Sequence, residues 1–486
     1  MIRATAEQQA ARDAFASGGD LALIAGAGAG KTSTLVLMGS ASKRRGLYMA
    51  YNKAAAEDAR RRFGPNVACR TSHALAYQAV GIRYADRLAH SPRRPGKETA
   101  RLLGIAEVFD DGSTQITQAH QARLVMEMVA RYCRTSDLEI SARHMPRVNG
   151  LDPRTQDHLS RHLLASARRA WEDICSLDGV LKFDHEHYMK MWGLSRPVLP
   201  ADFILLDEAQ DTNPVLEKVF AAQRGHAQLV MVGDSAQAIY GWRGAQGVMT
   251  GFDATPLTLT RSFRFGPLIA EEANRWLTLA DAPIRLTGTD TIATEVGNLD
   301  RPDAVLCRTN IGAMTEVMRL LGEGHRVALT RGGQQLAQLA SAARDMKEGR
   351  RAHHPELVLF ASWGDLQDYA AYDPAGCDLQ PFVDLVDTHG PDAILAAVSD
   401  LTEEAHADVT VSTAHKAKGR EWPTVRIGND FPQPKDPNSG TSAADQAPEV
   451  NGTDARLAYV AVTRARHQLD LGGLAWNATP QENEGG

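Results

Sequence analysis

The sequence predicts an α/β protein with two cores, each a parallel sheet interrupted by a mainly helical insertion. Three observations carry this reading. Short apolar runs alternate with helix-like segments in the first ninety residues and again in the second half. Helical periodicity displaces that alternation in two internal stretches. A glycine-rich loop directly follows the first apolar run, the layout of a strand, a tight loop and a helix start. A length of 486 residues leaves room for two to four domains.

Taken in order, 21–24 reads as a strand, followed by a helix from Thr32, a strand over 46–50 and a helix over 53–63. The pattern breaks at Ser91-Pro92-Arg93-Arg94-Pro95-Gly96. Residues 91–195 form a helical insertion, with clear helical period over 122–134 and 159–174. Sheet material resumes at 203–206 and 229–232, so residues 1–90 and 196–258 make the first core. A second α/β pattern begins after about Thr255, with strands at 304–308, 326–330, 409–412 and 425–428. Residues 259–334 and 409–486 make the second core, and 335–408 is a reduced helical insertion within it. Residues 430–451 are rich in Pro, Gly, Ser and Asp and read as a long loop.

Composition narrows the class. No apolar run approaches the roughly 18 residues of a membrane span, and the N-terminus lacks the apolar stretch of a signal peptide. A cytoplasmic protein without membrane partners is expected. The five cysteines are scattered, at Cys69, Cys133, Cys175, Cys307 and Cys377. None are at metal-ligand spacing, so buried apolar positions are expected rather than a disulfide framework or a zinc site. A net charge of −6 rules out a general basic coat, but not a basic groove or stacking on single strands.

The loop Ala25-Gly26-Ala27-Gly28-Ala29-Gly30-Lys31-Thr32 carries the first chemistry. Glycines let backbone N–H groups curl toward the phosphates of a nucleotide. Lys31 can reach the β- and γ-phosphates, and the Thr32 hydroxyl can ligate Mg²⁺. Ala25 stands where the general pattern has glycine. The second signal is Phe203-Ile204-Leu205-Leu206-Asp207-Glu208. An apolar strand delivers two carboxylates, Asp207 for Mg²⁺ and Glu208 to polarise an attacking water. The bland alternative, a strand ending in a solvated acidic turn, loses ground once the phosphate loop lies upstream. A glutamate beside the metal-binding aspartate also favours hydrolysis over phosphoryl transfer to a bound substrate.

Asp207-Glu208-Ala209-Gln210-Asp211 resembles the variant of this motif in the UvrD/Rep-like helicases of superfamily 1, whose phosphate loop also tolerates Ala at position 25. Further motifs follow in that family's order. Thr5-Ala6-Glu7-Gln8-Gln9 resembles the N-terminal glutamine motif, and Val232-Gly233-Asp234-Ser235-Ala236-Gln237-Ala238-Ile239-Tyr240-Gly241-Trp242-Arg243 the third motif. Leu259-Thr260-Arg261-Ser262-Phe263-Arg264 resembles the fourth, Val411-Ser412-Thr413-Ala414-His415 through Glu421-Trp422 the fifth, and Tyr459-Val460-Ala461-Val462-Thr463-Arg464-Ala465 the sixth.

The resemblance implies two RecA-like P-loop NTPase cores using ATP and Mg²⁺. Gly26, Ala27, Gly28, Ala29, Gly30, Lys31, Thr32 and Ser33 would hold the phosphates, Gln8 the adenine edge, Phe263 the adenine face and Glu421 the ribose. Phe263 departs from the family's usual Tyr. Gln237 would sense the γ-phosphate or the attacking water, and Arg264 and Arg464 would act as arginine fingers. For DNA, the resemblance implies Tyr51, Asn52, Ser72, His73, Tyr240, His415, a stacking platform at Trp242 and a backbone contact at Arg243. The pair His353-His354 and the run His185-Glu186-His187 match no motif and are expected to be solvated.

Residues 69–77 and 409–422 look most like the F-box-type branch of these helicases. The motor begins within ten residues of Met1, so no F-box is expected, and no nuclease domain is expected after the sixth motif. The implied activity is an ATP-dependent helicase or translocase moving 3′ to 5′ on single-stranded DNA, in repair, recombination or replication. Implied partners are single-stranded DNA, its junctions with duplex, and a recombinase or single-strand-binding protein, with a monomer translocating. One rival is a DNA-dependent ATPase that strips proteins from DNA without processive unwinding. Another is a scaffold that binds nucleotide without turnover, against which the intact catalytic set argues.

Overall fold

The computed structural model describes residues 4–90, 94–110, 115–148, 151–239, 251–352, 354, 356–357, 360, 362–372, 379–432 and 450–477. Two compact units divide the chain: Met1–Ala25 with Lys31–Leu259, and Gly26–Gly30 with Thr260–Gly486.

The apolar runs of the first unit are its inner strands. β1 (Leu21–Ala25), β2 (Gly46–Ala50), β3 (Val67–Thr71), β6 (Phe203–Leu206), β7 (Gln228–Gly233) and β8 (Thr255–Leu259) form one sheet in the order β3-β2-β6-β7-β1-β8. Every pairing in it is parallel. β2, β6 and β7 are buried along their whole length, as strands covered on both faces must be, which is why they read as unbroken apolar runs.

The two edges were not anticipated. β3 alternates buried and exposed residues, and β8 is mostly exposed and contains Pro256, which an edge strand tolerates. β8 corrects the sequence reading. Thr255 does not open the second core, because β8 pairs with β1 as far as Ala25 against Leu259. The first core therefore runs one residue past 258.

Between β3 and β6 lie helices Gly96–Leu102, Gln118–Cys133, Pro153–Cys175 and His185–Leu194. The last three start at side-chain caps: Thr117, Asp152 with Pro153 in the first turn, and Asp184. The insertion also holds a short antiparallel ribbon of β4 (Phe109–Asp110) and β5 (Gln115–Ile116). Its helices share one apolar cluster with the sheet: Met128, Leu163 and Trp192 belong with Ile204, Leu206 and Met231. A shared core of this kind joins insertion and sheet into one cooperative body.

His187 is not solvated. It is buried, its Nδ1 accepts the Asp184 N–H at 3.0 Å, and burial lowers its basicity. Glu186 is half-buried, and only His185 of that run is exposed. His353 lies outside the described residues, and His354 is half-buried.

The second unit repeats the architecture. β9 (Glu295–Val296), β10 (Ala304–Cys307), β11 (Val327–Leu329), β12 (Val409–Thr413), β13 (Trp422–Ile427) and β14 (Ala465–Asp470) form a parallel sheet in the order β11-β12-β10-β13-β14-β9. Helices Gly333–Lys347, Trp363–Tyr372, Gln380–His389 and Pro391–Ser399 interrupt it. Leu339, Leu366, Phe382 and Ile394 share one cluster with Val305 and Val411 of the sheet. The chain thus has two parallel α/β cores, each interrupted by a mainly helical insertion, as the sequence predicts.

Most of the expected loop over 430–451 lies outside the described residues, as do Ser91, Pro92 and Arg93. Cys69, Cys133 and Cys307 are buried free thiols as expected. Cys175 is only half-buried, and Cys377 lies outside the described residues. Among the described residues no helix is long and apolar enough to cross a membrane.

Candidate nucleotide site and DNA-contact residues

The first unit gathers its chemistry at the carboxyl ends of β1, β6 and β7, where open α/β sheets bind their ligands. Ala25 is the last residue of β1, fully buried in extended backbone. The curl starts after it, with Gly28 at φ 72° and Gly30 at φ 73°. Those two positions need glycine, whereas position 25 does not, which accounts for the alanine there. Helix Lys31–Ser40 begins at once, so Lys31 and Thr32 stand on its first turn. A helix N-terminus with glycine-rich backbone before it suits phosphate. Ser33 is exposed and accepts a hydrogen bond from Arg62 Nη2 at 2.7 Å.

Asp207 follows β6 and is buried. Its Oδ2 accepts the Thr32 hydroxyl at 2.8 Å and the Tyr48 hydroxyl at 2.6 Å, and its Oδ1 accepts the Glu208 N–H at 2.9 Å. Burial pushes this carboxyl above its usual range and the neighbouring Glu208 charge adds to that, while Tyr48, Lys31 and Thr32 pull it back. A buried carboxylate under this strain, with a hydroxyl already on it, fits Mg²⁺, which binds hard oxygens and takes few protein ligands beside phosphate. Thr32 and Asp207 would hold the ion. Among the described residues no cluster of three or more His, Cys, Asp or Glu offers a self-sufficient metal cage.

Glu208 adopts a left-handed backbone at φ 52° and ψ 45°. For a residue with a Cβ this costs about 1–3 kcal/mol, and such strain clusters at functional sites. The conformation turns its side chain to Lys31, whose Nζ lies 3.4 Å from Oε1, and to Gln210, whose Nε2 donates to Oε2 at 2.6 Å. Gln237 ends the short turn after β7, buried, with its Nε2 donating to Asp234 Oδ2 at 2.7 Å. Gln8 opens helix Ala6–Ser17 in a capping box with Thr5, and its Nε2 donates to Thr34 Oγ1 at 3.2 Å.

Three of the expected DNA residues, Tyr51, Ser72 and His73, fall near the same carboxylates. Tyr51 is exposed, Asn52 caps helix Lys53–Arg62, and Ser72 and His73 open the helix after β3. A cavity of about 410 Å³ is lined by Tyr51, Ser72 and His73 together with Asp207, Glu208 and Arg134. His73 Nε2 stands 3.6 Å from Glu186 Oε1. Tyr240, Trp242 and Arg243 lie outside the described residues.

In the second unit Thr463 links the two arginines. Arg264 Nη1 donates to the Thr463 carbonyl at 2.9 Å, and Arg464 Nη2 to the Thr463 hydroxyl at 3.0 Å. Arg464 is 1% exposed and also donates to the Val460 carbonyl at 2.8 Å. Glu421, expected at the ribose, here pairs with Arg264 Nε at 2.7 Å. Phe263 is half-buried, and so is His415, on the short helix Ala414–Ala417 after β12.

Two site residues escaped the sequence reading, Tyr48 and Gln210. Tyr48 sits mid-strand in an apolar run, and a buried tyrosine hydroxyl needs a partner, the one signal that could have found it. Burial and the Asp207 charge raise its phenol far above the ordinary value, so it remains a donor. Tyr48→Phe keeps the ring against Phe63, whose centroid is 5.1 Å away, and removes one bond to a buried carboxylate. Urea unfolding is expected to show a loss of about 1.5–3 kcal/mol, the range for hydrogen bonds to charged groups. An unchanged midpoint would mean that Asp207 does not depend on this hydroxyl.

Residues 193–250 match the UvrD/REP helicase N-terminal domain, and residues 330–472 match the UvrD-like helicase C-terminal domain. The chain is 30% identical over 494 residues to F-box DNA helicase protein 1 of Schizosaccharomyces pombe and 29% identical over 486 residues to F-box DNA helicase 1 of Gallus gallus. Each alignment covers 92% of this chain, which spans only 54% and 46% of those proteins. It is also 28% identical to DNA helicase IV of Escherichia coli over 307 residues, covering 53% of this chain and 45% of that protein. Both domain matches include motifs described above, and the chain belongs to the UvrD-like helicase family.

Proposed function

We propose that this chain is an ATP-driven DNA motor, a helicase or translocase that moves 3′ to 5′ on single-stranded DNA. The observation that carries the reading is the convergence of Lys31, Thr32, Asp207 and Glu208, with the Tyr51, Ser72 and His73 cavity opening onto the two carboxylates. The polarity rests on family resemblance, as do the residue roles and the domain boundaries.

In this reading the triphosphate enters the glycine curl and Lys31 exchanges Glu208 for the β- and γ-phosphates. Glu208, relieved of Lys31, takes a proton from the attacking water. The water oxygen bonds to the γ-phosphorus, the bond to the β–γ bridging oxygen breaks, and ADP and phosphate leave. Mg²⁺, held by Thr32 and Asp207, would supply charge neutralisation on the phosphate oxygens. Arg264 and Arg464 would stabilise charge developing on the γ-phosphoryl group, and Gln237 would report its presence. Tyr51, Asn52, Ser72, His73 and His415 would contact the strand, with Tyr240, Trp242 and Arg243. The working form is a cytoplasmic monomer on single-stranded DNA and its junctions.

The assay is ATP hydrolysis with and without single-stranded DNA, followed by unwinding of duplexes bearing a 3′ or a 5′ tail. Hydrolysis is expected to rise with DNA, and unwinding to require the 3′ tail. Hydrolysis indifferent to DNA would sink the motor reading, and unwinding from the 5′ tail alone would reverse the polarity. One feature favours protein stripping as a second reading: the insertion of the second unit, residues 335–408, is short and offers little surface to a duplex. Removal of a recombinase filament without strand separation is the outcome that would select it.

A further inference from the structure

The candidate general base is held by a side chain to which no role has been given. Gln210 is 5% exposed and bridges the ends of two neighbouring strands. Its Oε1 accepts the Asp234 N–H at 2.9 Å, just after β7. Its Nε2 donates to Glu208 Oε2 at 2.6 Å, just after β6, and lies 3.4 Å from Asp211 Oδ2. The orientation of the amide is fixed by its partners. A backbone N–H can only donate, so the oxygen must face Asp234 and the nitrogen must face Glu208. Room for this bridge comes from Gly233, where a Cβ would stand 2.6 Å from Gln210 Oε1 and 3.2 Å from its backbone nitrogen.

The bridge extends further. Asp234 is fully buried, and its Oδ2 accepts Gln237 Nε2 at 2.7 Å. Side chains and one backbone amide therefore run without a break from Glu208 through Gln210 and Asp234 to Gln237. At the far end from Gln210, Lys31 approaches the other oxygen of Glu208, Oε1.

We infer that Gln210 is a positioning residue that aims Glu208 at the attacking water and ties its aim to the turn carrying Gln237. The inference rests on the reading of Glu208 as general base. When Lys31 turns to the phosphates, Gln210 keeps hold of Oε2 and leaves Oε1 for the proton of the water. Displacement of the Gln237 turn moves Asp234, hence Gln210, hence the carboxylate. Turnover is then sensitive to what Gln237 contacts, while nucleotide affinity is not.

The test uses the full chain with ATP, Mg²⁺ and saturating single-stranded DNA. Gln210→Glu keeps the length and the acceptor for the Asp234 N–H but turns an oxygen toward Glu208. Gln210→Met keeps the length and loses both bonds. Each is expected to lower kcat by about 100-fold, the loss carried by a catalytic group misplaced by about 1 Å. KM for ATP and the affinity for a fluorescent ADP should stay within about twofold. In a Gln237→Ala background, Gln210→Glu should cost much less than in the wild type, because the two act through one chain of bonds.

A Gln210→Glu variant that folds and turns over normally would overturn the inference, as would kcat losses that simply multiply in the double variant. A parallel fall in ADP affinity would also overturn it, since that marks general damage to the site. The reading of the motor fails separately, if wild-type protein shows no DNA-stimulated hydrolysis.

Discussion

Glu208→Gln is expected to leave Mg-ATP bound while slowing its hydrolysis by about 10²–10⁴-fold, the contribution of a positioned general base. The substitution is close to isosteric and keeps an oxygen for Gln210 Nε2, so the left-handed turn after β6 keeps its principal tie. What disappears is the proton acceptor. Binding should not suffer, because the carboxylate, 3.4 Å from the Lys31 ammonium, competes with phosphate for it. An amide competes less, so ATP affinity is expected to stay level or to rise slightly. Equilibrium binding of labelled ATP, set beside single-turnover hydrolysis, separates the two effects. Normal hydrolysis in this variant would remove Glu208 from the chemistry and return it to the status of a strained turn residue.

Strands buried along their whole length were legible because both of their faces must be apolar. β6, Phe203-Ile204-Leu205-Leu206, is apolar at every position because it is covered on both faces. Edge strands carry no such mark. Nor does β14, which reads Ala-Arg-His-Gln-Leu-Asp although it lies inside the sheet: only Ala465 and Leu469 of it are buried, and the short β9 pairs with it only at Gln468 and Leu469. β8 went unread as a strand for the same reason, since Pro256 and exposed residues disguise a strand that β1 recruits. The helical insertions showed in their period. Period says which face of a helix is apolar, not what covers it, so the joining of Trp192 to Leu206 was out of reach.

The site divides along the same line. Lys31, Thr32, Asp207 and Glu208 were found because phosphate and metal chemistry demands those residue types at fixed places beside a strand. Tyr48 reaches Asp207 across 159 positions of sequence, and Gln210, beside Glu208 in sequence, is tied in place by Asp234 24 positions away; no local pattern records such bonds. His187 was misplaced because a histidine that accepts its own cap's N–H looks, in sequence, like any polar residue at a helix start.

Lys31→Ala should behave in the opposite way to Glu208→Gln, losing nucleotide before it loses chemistry. The ammonium stands on the first turn of its helix, with a side chain only 11% exposed, so its charge is poorly screened by water. Its removal takes away the one cation the loop itself supplies to the phosphates, and kcat/KM for ATP is expected to fall by about 10²–10³-fold. The carboxylate site also deteriorates, since Lys31 is among the groups that hold the buried Asp207 carboxyl down against burial and the Glu208 charge. Without it Asp207 protonates more readily, which further weakens the Mg²⁺ position it shares with Thr32. Lys31→Arg should not restore function, because a planar guanidinium cannot replace a compact ammonium in a closed curl. Filter binding of labelled ATP to both variants under one set of conditions decides the matter. Retention by Glu208→Gln with loss by Lys31→Ala places the phosphates in the Gly28–Gly30 loop, whereas wild-type binding and turnover by Lys31→Ala would mean that the nucleotide is held elsewhere.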